Sequence, residues 1–278
     1  MKVLQILPQL NIGGVERGTL DLSKALIHKG HESFVISGGG ILVDELEQLG
    51  AKHYEIPVHI KSLKTLFLAK SLSETISSID PDIVHIRSRM PAWVNYRAFK
   101  MLQKKPLLVS TFHGLYSFPI YSKVMSFVDH SIAISKTVEN YILENYKLDK
   151  NDITVIPRGC DPAEFNNNEI NSDDKAKIIN EFPKIVGKKV LTIPGRITKW
   201  KGVAEFIELL SLLDDNYHGL IVGPTAKSKK KYLNKLQNKV SSLDLENKIT
   251  FTGSRRDIAN IYKISDIVFN LSQTPEPF

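Results

Sequence analysis

The sequence predicts an α/β protein of two doubly wound parallel-sheet domains, the second of them incomplete. Three observations carry that prediction. Short apolar runs alternate with segments whose apolar residues recur at helical spacing, the pattern of βαβ units under a parallel sheet covered on both faces. The alternation breaks at one polar, turn-rich stretch, residues 165–174, and then restarts. The last apolar run, Ile267-Val268-Phe269-Asn270-Leu271, enters Ser272-Gln273-Thr274-Pro275-Glu276-Pro277-Phe278, which reads as the approach to a further helix rather than the end of a domain.

The elements follow in order. Residues 3–7 form the first strand. Residues 15–29 carry Leu20, Leu22, Ala25 and Leu26 at helical spacing and stop before Gly30, a helix terminator. Strands are expected at 33–37, 83–86, 107–111 and 131–134, with helices near 62–78, 92–102 and 136–146. After the break, strands at 190–193, 220–222, 249–251 and 267–271 alternate with helices at 203–213, 229–240 and 257–264. The domains are therefore placed at 1–165 and 189–278, joined by a linker at 166–188. Doubly wound domains bind ligands beyond the carboxyl ends of their strands, so the loops after strands are where chemistry is expected.

Composition narrows the class. With 42% hydrophobic and 24% charged residues, the 278-residue chain has ample material for a core. The single cysteine, Cys160, excludes an internal disulfide and a multi-cysteine zinc site, and fits a reducing, cytoplasmic compartment. No apolar run approaches the ~18 residues of a transmembrane helix. The N-terminus is too short for a signal-peptide core and reads as a strand. A net charge of +7 favours anionic partners: nucleotide phosphates, acidic lipid head groups or nucleic acid.

Four loops carry candidate chemistry. The first, Pro8 to Arg17, sets Gly13 and Gly14 between a strand and a helix, where a bare backbone admits a ligand and helix N–H groups face an anion. It lacks the G-x-G-x-x-G fingerprint, which weighs against a nicotinamide dehydrogenase; a tight turn with no ligand is an equal reading. The second is Ser110-Thr111-Phe112-His113-Gly114, where a histidine at a strand's carboxyl end can donate to a hydroxyl or phosphate. A lone histidine is more often structural. The third, Pro194-Gly195-Arg196-Ile197-Thr198-Lys199-Trp200-Lys201-Gly202, frames two cations between glycines; Arg196 and Lys201 are suited to a diphosphate leaving group. The fourth carries Glu276, a carboxylate placed for sugar hydroxyls, or else an exposed loop acid.

Together these loops resemble the retaining glycosyltransferases of the GT-B fold, group 1 or family 4. The resemblance runs along the chain: Gly13-Gly14 with Glu16, Asp82-Ile83-Val84-His85, Thr111-Phe112-His113-Gly114, Ile156-Pro157-Arg158-Gly159-Cys160-Asp161, Gly195-Arg196 with Lys201-Gly202, Val222-Gly223, Phe251-Thr252-Gly253 and Pro275-Glu276-Pro277-Phe278. It implies two Rossmann-like domains, an N-terminal one for the acceptor and a C-terminal one for a UDP-, GDP- or ADP-sugar. It implies that Gly13, Gly14 and Gly195 lie against the donor, that Arg196 and Lys201 stabilise the departing nucleoside diphosphate, that His113 acts near the reacting carbon, and that Glu276 holds donor hydroxyls. No cofactor and no metal are implied, since the cations do that job; the residues are read as offering no Asp-x-Asp metal motif, with Arg196 and Lys201 where the leaving charge should develop. Glu16, Arg87 and Tyr116 fall on the acceptor side.

Three departures from the family pattern stand out. Ile86-Arg87 follows Asp82-Ile83-Val84-His85 where a second histidine is usual, and Arg158 replaces the usual asparagine. The family also continues Glu-x-Phe-Gly into a helix bearing a ribose-binding glutamate. The sequence is therefore expected to be a truncated transferase, weak or inactive alone, which a downstream fragment would complement. Loss of the helix end would remove an anion site worth about 0.3–2 kcal/mol.

On the acceptor side, Tyr116-Ser117-Phe118-Pro119-Ile120-Tyr121 is aromatic, and Lys61, Lys64, Lys70, Arg97, Lys100, Lys104 and Lys105 are basic. That combination suits peripheral contact with an anionic membrane and a saccharide or lipid-linked acceptor, such as an envelope polysaccharide or lipopolysaccharide. Ordinary core aromatics and solvated helix faces are the competing explanation. Lys227-Ser228-Lys229-Lys230-Lys231 starts a helix without a base-reading motif, so no nucleic-acid partner is expected. A non-catalytic remnant binding a nucleotide or partner, and a nucleotide-sugar epimerase, are the rival functions.

Overall fold

The computed structural model describes residues 1–60, 62–116, 119–166, 168–274 and 276–277, with residues 63, 64 and 227 described by backbone alone. The chain divides into two compact units, Met1–Gly159 and Cys160–Glu276.

The first unit runs β1 (Lys2–Ile6), α1 (Gly14–His28), β2 (Glu32–Ser37), α2 (Val43–Gln48), β3 (Lys52–Glu55), α3 (Ala69–Ile79), β4 (Ile83–Ile86), α4 (Arg89–Phe99), β5 (Leu107–Phe112), α5 (Pro119–Ser122), β6 (His130–Ala133), α6 (Lys136–Asn145) and β7 (Ile153–Val155). Among the described residues its strands form one parallel sheet in the order β3-β2-β1-β4-β5-β6-β7. One core packs α3, α4 and α6 against it through Leu72, Ile76, Val94, Val138 and Ile142; a second, on the other face, holds Leu7, Leu20, Val35 and Leu46. The near-continuous apolar runs of β1 and β4 follow from that double coverage.

The second unit runs α7 (Ser172–Glu181), β8 (Lys189–Pro194), α8 (Val203–Ser211), β9 (Tyr217–Val222), α9 (Lys230–Ser242), β10 (Ile249–Gly253), α10 (Ile258–Lys263) and β11 (Ile267–Val268). Its parallel sheet has the order β10-β9-β8-β11. Phe206, Ile207 and Leu210 of α8 pack on one face and Ile178 and Ile261 on the other.

The α/β class and the two parallel sheets agree with the sequence reading. The differences lie at edges. Both edge strands of the first sheet, β3 and β7, have no counterpart among the expected strands, and β11 spans two residues where 267–271 were expected. Lys52-His53-Tyr54-Glu55 is polar because its strand is half covered, so the apolar signal is absent. The stretch 62–78 begins as a 3₁₀ segment, Leu63–Leu68, before α3. Within 166–188, expected as linker, stands α7. Asn171 caps it by accepting from the Asp174 N–H, and Ile178 is buried. The units part after Gly159 rather than near 165 because the Phe165 ring packs on Tyr262, 6.2 Å away, in the second unit.

Candidate functional site

Each sheet has one point where strand order reverses, the place where open α/β sheets usually bind their ligands. In the first sheet it lies between β1 and β4; in the second, between β8 and β11. The candidate residues gather at these two places.

In the first unit, β1 leads to Gly13 and α1, β4 to Arg87, β5 to His113, and β7 to Arg158. Gln5, fully buried in β1, ties the group together. Its Nε2 donates to the Thr19 carbonyl (3.2 Å) and to Ser23 Oγ (3.0 Å), and its Oε1 accepts from Arg87 Nη1 (2.9 Å). Arg87 is 6% exposed, and its Nε has no hydrogen-bond partner among the described residues. Burial, and then the charge of Arg158, lower its pKa to about 10. Arg158 Nη2 donates to the Gly14 carbonyl at 2.6 Å.

Both arginines rest on one glycine-stripped side of α1. A Cβ on Gly14 would stand 2.5 Å from Arg158 Nη1, and one on Gly18 would stand 3.2 Å from Arg87 Nη2 and 3.3 Å from Arg158 Nη2. Gly14 and Gly18 are i and i+4, hence on one face. Gly13, in extended conformation at φ 179, caps α1 with Glu16 in the first turn.

His113 is half-buried, yet both ring nitrogens are shut from solvent without a hydrogen-bond partner among the described residues. Burial first, then the charges of Arg87 and Arg158, hold its pKa well below the ordinary value, so the ring is neutral at pH 7. It can donate from one nitrogen and accept at the other. Tyr116 stands beside it: its hydroxyl lies 3.5 Å from the His113 N–H, its ring lies under Arg89, 4.7 Å away, and its carbonyl accepts from Tyr141 Oη at 2.6 Å.

In the second unit, β8 ends at Pro194 and the next loop turns through Gly195 (φ +132) to Gly202 (φ +75), where α8 starts. Lys201 Nζ lies 2.5 Å from Glu276 Oε1, with 20% and 14% of the two side chains exposed. Ser272 Oγ donates to the same carboxylate oxygen, and the Lys201 ammonium lies 4.6 Å from the Trp200 ring centroid. The structure thus joins Lys201 to Glu276 directly. Arg196 is exposed on the same loop and enters no ion pair among the described residues.

Gln5, Gly18 and Arg158 complete the first group, and the loop-by-loop reading assigned none of them a role. Arg158 stood out only as a departure from a pattern. Gln5, a lone polar residue in an apolar strand, was the available signal. Ser117, Phe118, Lys61, Pro275 and Phe278 lie outside the described residues, as does the Lys64 side chain. The Asp80-Pro81-Asp82 triplet has Asp-x-Asp spacing but precedes β4, at the opposite end of the strand from these loops. Its carboxylates are taken by Lys104 Nζ (2.8 Å) and the Lys2 N–H (2.7 Å).

Comparison with known proteins adds the following. Residues 12–164 match the profile of Glycosyltransferase Family 4, and residues 174–278 that of Glycosyl transferases group 1. An uncharacterized glycosyltransferase of Methanocaldococcus jannaschii is 31% identical over 219 residues, covering 70% of this chain and 52% of its own length, so the chain spans about half of that relative. The crystal structure of a glycosyltransferase from Rickettsia africae ESF-5 superposes with a TM-score of 0.83 at 35% identity, over 99% of this chain and 74% of the other. HepE of Anabaena, solved with UDP and glucose, superposes with a TM-score of 0.85 at 21% identity, over 100% and 76%.

Proposed function

This chain belongs to the group 1, family 4 glycosyltransferases, and from that premise we propose that it moves a sugar from a nucleoside-diphosphate donor to a saccharide or lipid-linked acceptor. The glycosidic bond between the anomeric carbon and the diphosphate oxygen breaks, and the diphosphate leaves with the electron pair. An acceptor hydroxyl oxygen bonds the carbon and passes its proton to the departing diphosphate.

The observation that carries this reading is the Lys201–Glu276 pair at the reversal point of the second sheet. A donor brings what each partner lacks: phosphate oxygens for the ammonium and sugar hydroxyls for the carboxylate. Arg196, on the same loop, is a second cation for the charge that develops on the leaving group. In this reading the cations do the work of a metal ion, and configuration at the anomeric carbon is retained, as the family resemblance implies. HepE, which shares the fold, was solved with UDP and glucose. Titration of the chain with UDP, GDP and ADP, followed by heat or melting temperature, is expected to give saturable binding of one of them. Failure of all three to bind overturns the reading.

We further propose that the acceptor lies at an anionic membrane surface, on its cytoplasmic side. No helix among the described residues is long and apolar enough to cross a membrane. Instead, cations lie on aromatic rings along one stretch: Arg89 with Tyr116 and Tyr121, Lys100 with Tyr96, and Lys123 with Phe127. Ile120, beside them, is 90% exposed. Cations beside aromatic rings suit the headgroup boundary. The chain is expected to co-sediment with vesicles rich in anionic phospholipid, less so as salt rises. Ile120→Asp should weaken this about tenfold, as burial of one isoleucine predicts. Co-sedimentation equal on neutral vesicles, or indifferent to both changes, would sink the placement.

A further inference from the structure

Arg87 and Arg158 have no role in the donor reading, although Arg158 holds the carbonyl of Gly14, a residue expected against the donor. Two like charges converge on one turn of α1, over Gly18, and one of them is almost wholly buried. Such an arrangement is costly on three counts. Burial disfavours the charged guanidinium, the neighbouring cation disfavours it further, and the Nε donor of Arg87 has lost water without gaining a partner among the described residues. The glycine at position 18 adds a backbone cost inside a helix.

Glu16 and Asp21 offset part of the charge on each arginine. Glu16 and Asp21 both act on Arg87, but each more weakly than Arg158 does, and Asp21 is shared with Arg17 Nε at 3.7 Å. The N-terminus of α1, a 15-residue helix, adds its partial positive charge at the same place. His113 contributes a neutral ring with two unpartnered nitrogens, close enough for both arginine charges to act on it.

We propose that Arg87 and Arg158, with the first turns of α1, form a recognition site for an oxyanion, carboxylate or phosphate, on the acceptor. Planar guanidiniums offer paired N–H donors that match the two oxygens of such a group, and a water-poor setting strengthens each contact. The Arg87 Nε gains its partner when the anion arrives, and the repulsion between the two cations is relieved. Gln5 acts as a positioning residue by holding Arg87 Nη1. The acceptor is thereby an anionic hydroxyl compound rather than a neutral sugar. This inference rests on the transferase reading only in calling the ligand the acceptor.

The test uses the full chain and three probes: inorganic phosphate, glycolate as a hydroxylated carboxylate, and glycerol as a neutral hydroxyl compound. They are titrated by heat or melting temperature against wild type, Arg158→Asn and Lys201→Ala. Saturable, salt-sensitive binding of phosphate or glycolate, but not glycerol, is expected in wild type and Lys201→Ala. Arg158→Asn should weaken it about tenfold or more, the scale of one charge-assisted pair. Phosphate preferred over glycolate assigns a phosphorylated acceptor; the reverse assigns a carboxylic one. Absence of saturable binding by both anions overturns the proposal. So does binding that Lys201→Ala abolishes and Arg158→Asn leaves intact, since the anion then sits among the donor cations. UDP, GDP and ADP titrated in the same series keep the two readings apart. Nucleotide binding without oxyanion binding sinks only this proposal, and oxyanion binding without nucleotide sinks only the donor reading. Arg158 is half-buried and its replacement spares the core, so an unchanged melting temperature of the free variant certifies the fold.

Discussion

Lys201→Ala is expected to weaken binding of the preferred nucleoside diphosphate by about 10- to 100-fold, while Glu276→Gln is expected to leave it equal or tighter. The asymmetry follows from the pair itself. Lys201 Nζ sits 2.5 Å from Glu276 Oε1, both side chains being mostly covered. Removing the lysine takes away the cation that a phosphate would use. It also leaves the Glu276 carboxylate with Ser272 Oγ for company, which should lower stability by about 1–3 kcal/mol. Removing the negative charge from Glu276 frees the lysine from its internal rival, so the phosphate no longer competes for it.

The sugar end behaves in the opposite way. A carboxylate that accepts from sugar hydroxyls discriminates nucleotide sugar from bare nucleotide. Glu276→Gln should therefore lose the gain in affinity that the sugar adds, even where UDP itself binds well. Comparing UDP with UDP-glucose on wild type and both variants checks this, with GDP or ADP pairs in their place if one of those is preferred. Equal losses of UDP affinity in both variants would show that the pair acts as a structural clip and not as two halves of a donor site.

The fold was legible in the sequence where burial was complete and illegible where it was partial. Val3-Leu4-Gln5-Ile6 and Val190-Leu191-Thr192-Ile193 announce central strands because helices cover both faces of each sheet. The edge strand Ile153-Thr154-Val155 is too short for its alternation to register, and Lys52-His53-Tyr54-Glu55 carries no apolar run. Helix α7 is polar except where Ile178 and Ile179 meet the core, and its Asn171 cap lies within an asparagine-rich stretch. The candidate site was legible as loops after strands. Its pairings were not, because they join residues far apart in the chain: Lys201 with Glu276, Arg158 with Gly14, Arg87 with Gln5. Glycine spacing alone could not say that Gly14 and Gly18 make room for arginines rather than for a ligand.

Acid should destabilise both units before their carboxylates titrate, because histidines are buried neutral in each. Burial brings His85 to about 3, with Nε2 2.7 Å from Thr111 Oγ1, and burial likewise brings His218 to about 4, with Nε2 2.9 Å from Thr250 Oγ1. His113 is held low in the same direction. In the unfolded chain each takes up a proton near pH 6.5. Below that pH the unfolded state binds more protons than the folded one, so stability falls as pH falls, by about 1.4 kcal/mol per unit for each such histidine. The loss runs from about 6.5 down to the folded values and is absent above neutrality. At pH 5, His85 removes about 2 kcal/mol from the first unit and His218 about 2 kcal/mol from the second, against the ~5–15 kcal/mol by which domains are usually stable. For units of this size that is a fall in melting temperature of about 5–10 °C in each between pH 7.5 and pH 5. His218→Gln keeps a side-chain amide within reach of Thr250 and cannot take up the proton, so it should flatten the slope of the second unit alone. Melting curves across this range, read by circular dichroism for wild type and variant, decide the matter. A melting temperature constant from pH 7.5 to pH 5 would mean that these rings are wet and titrate normally in the folded chain.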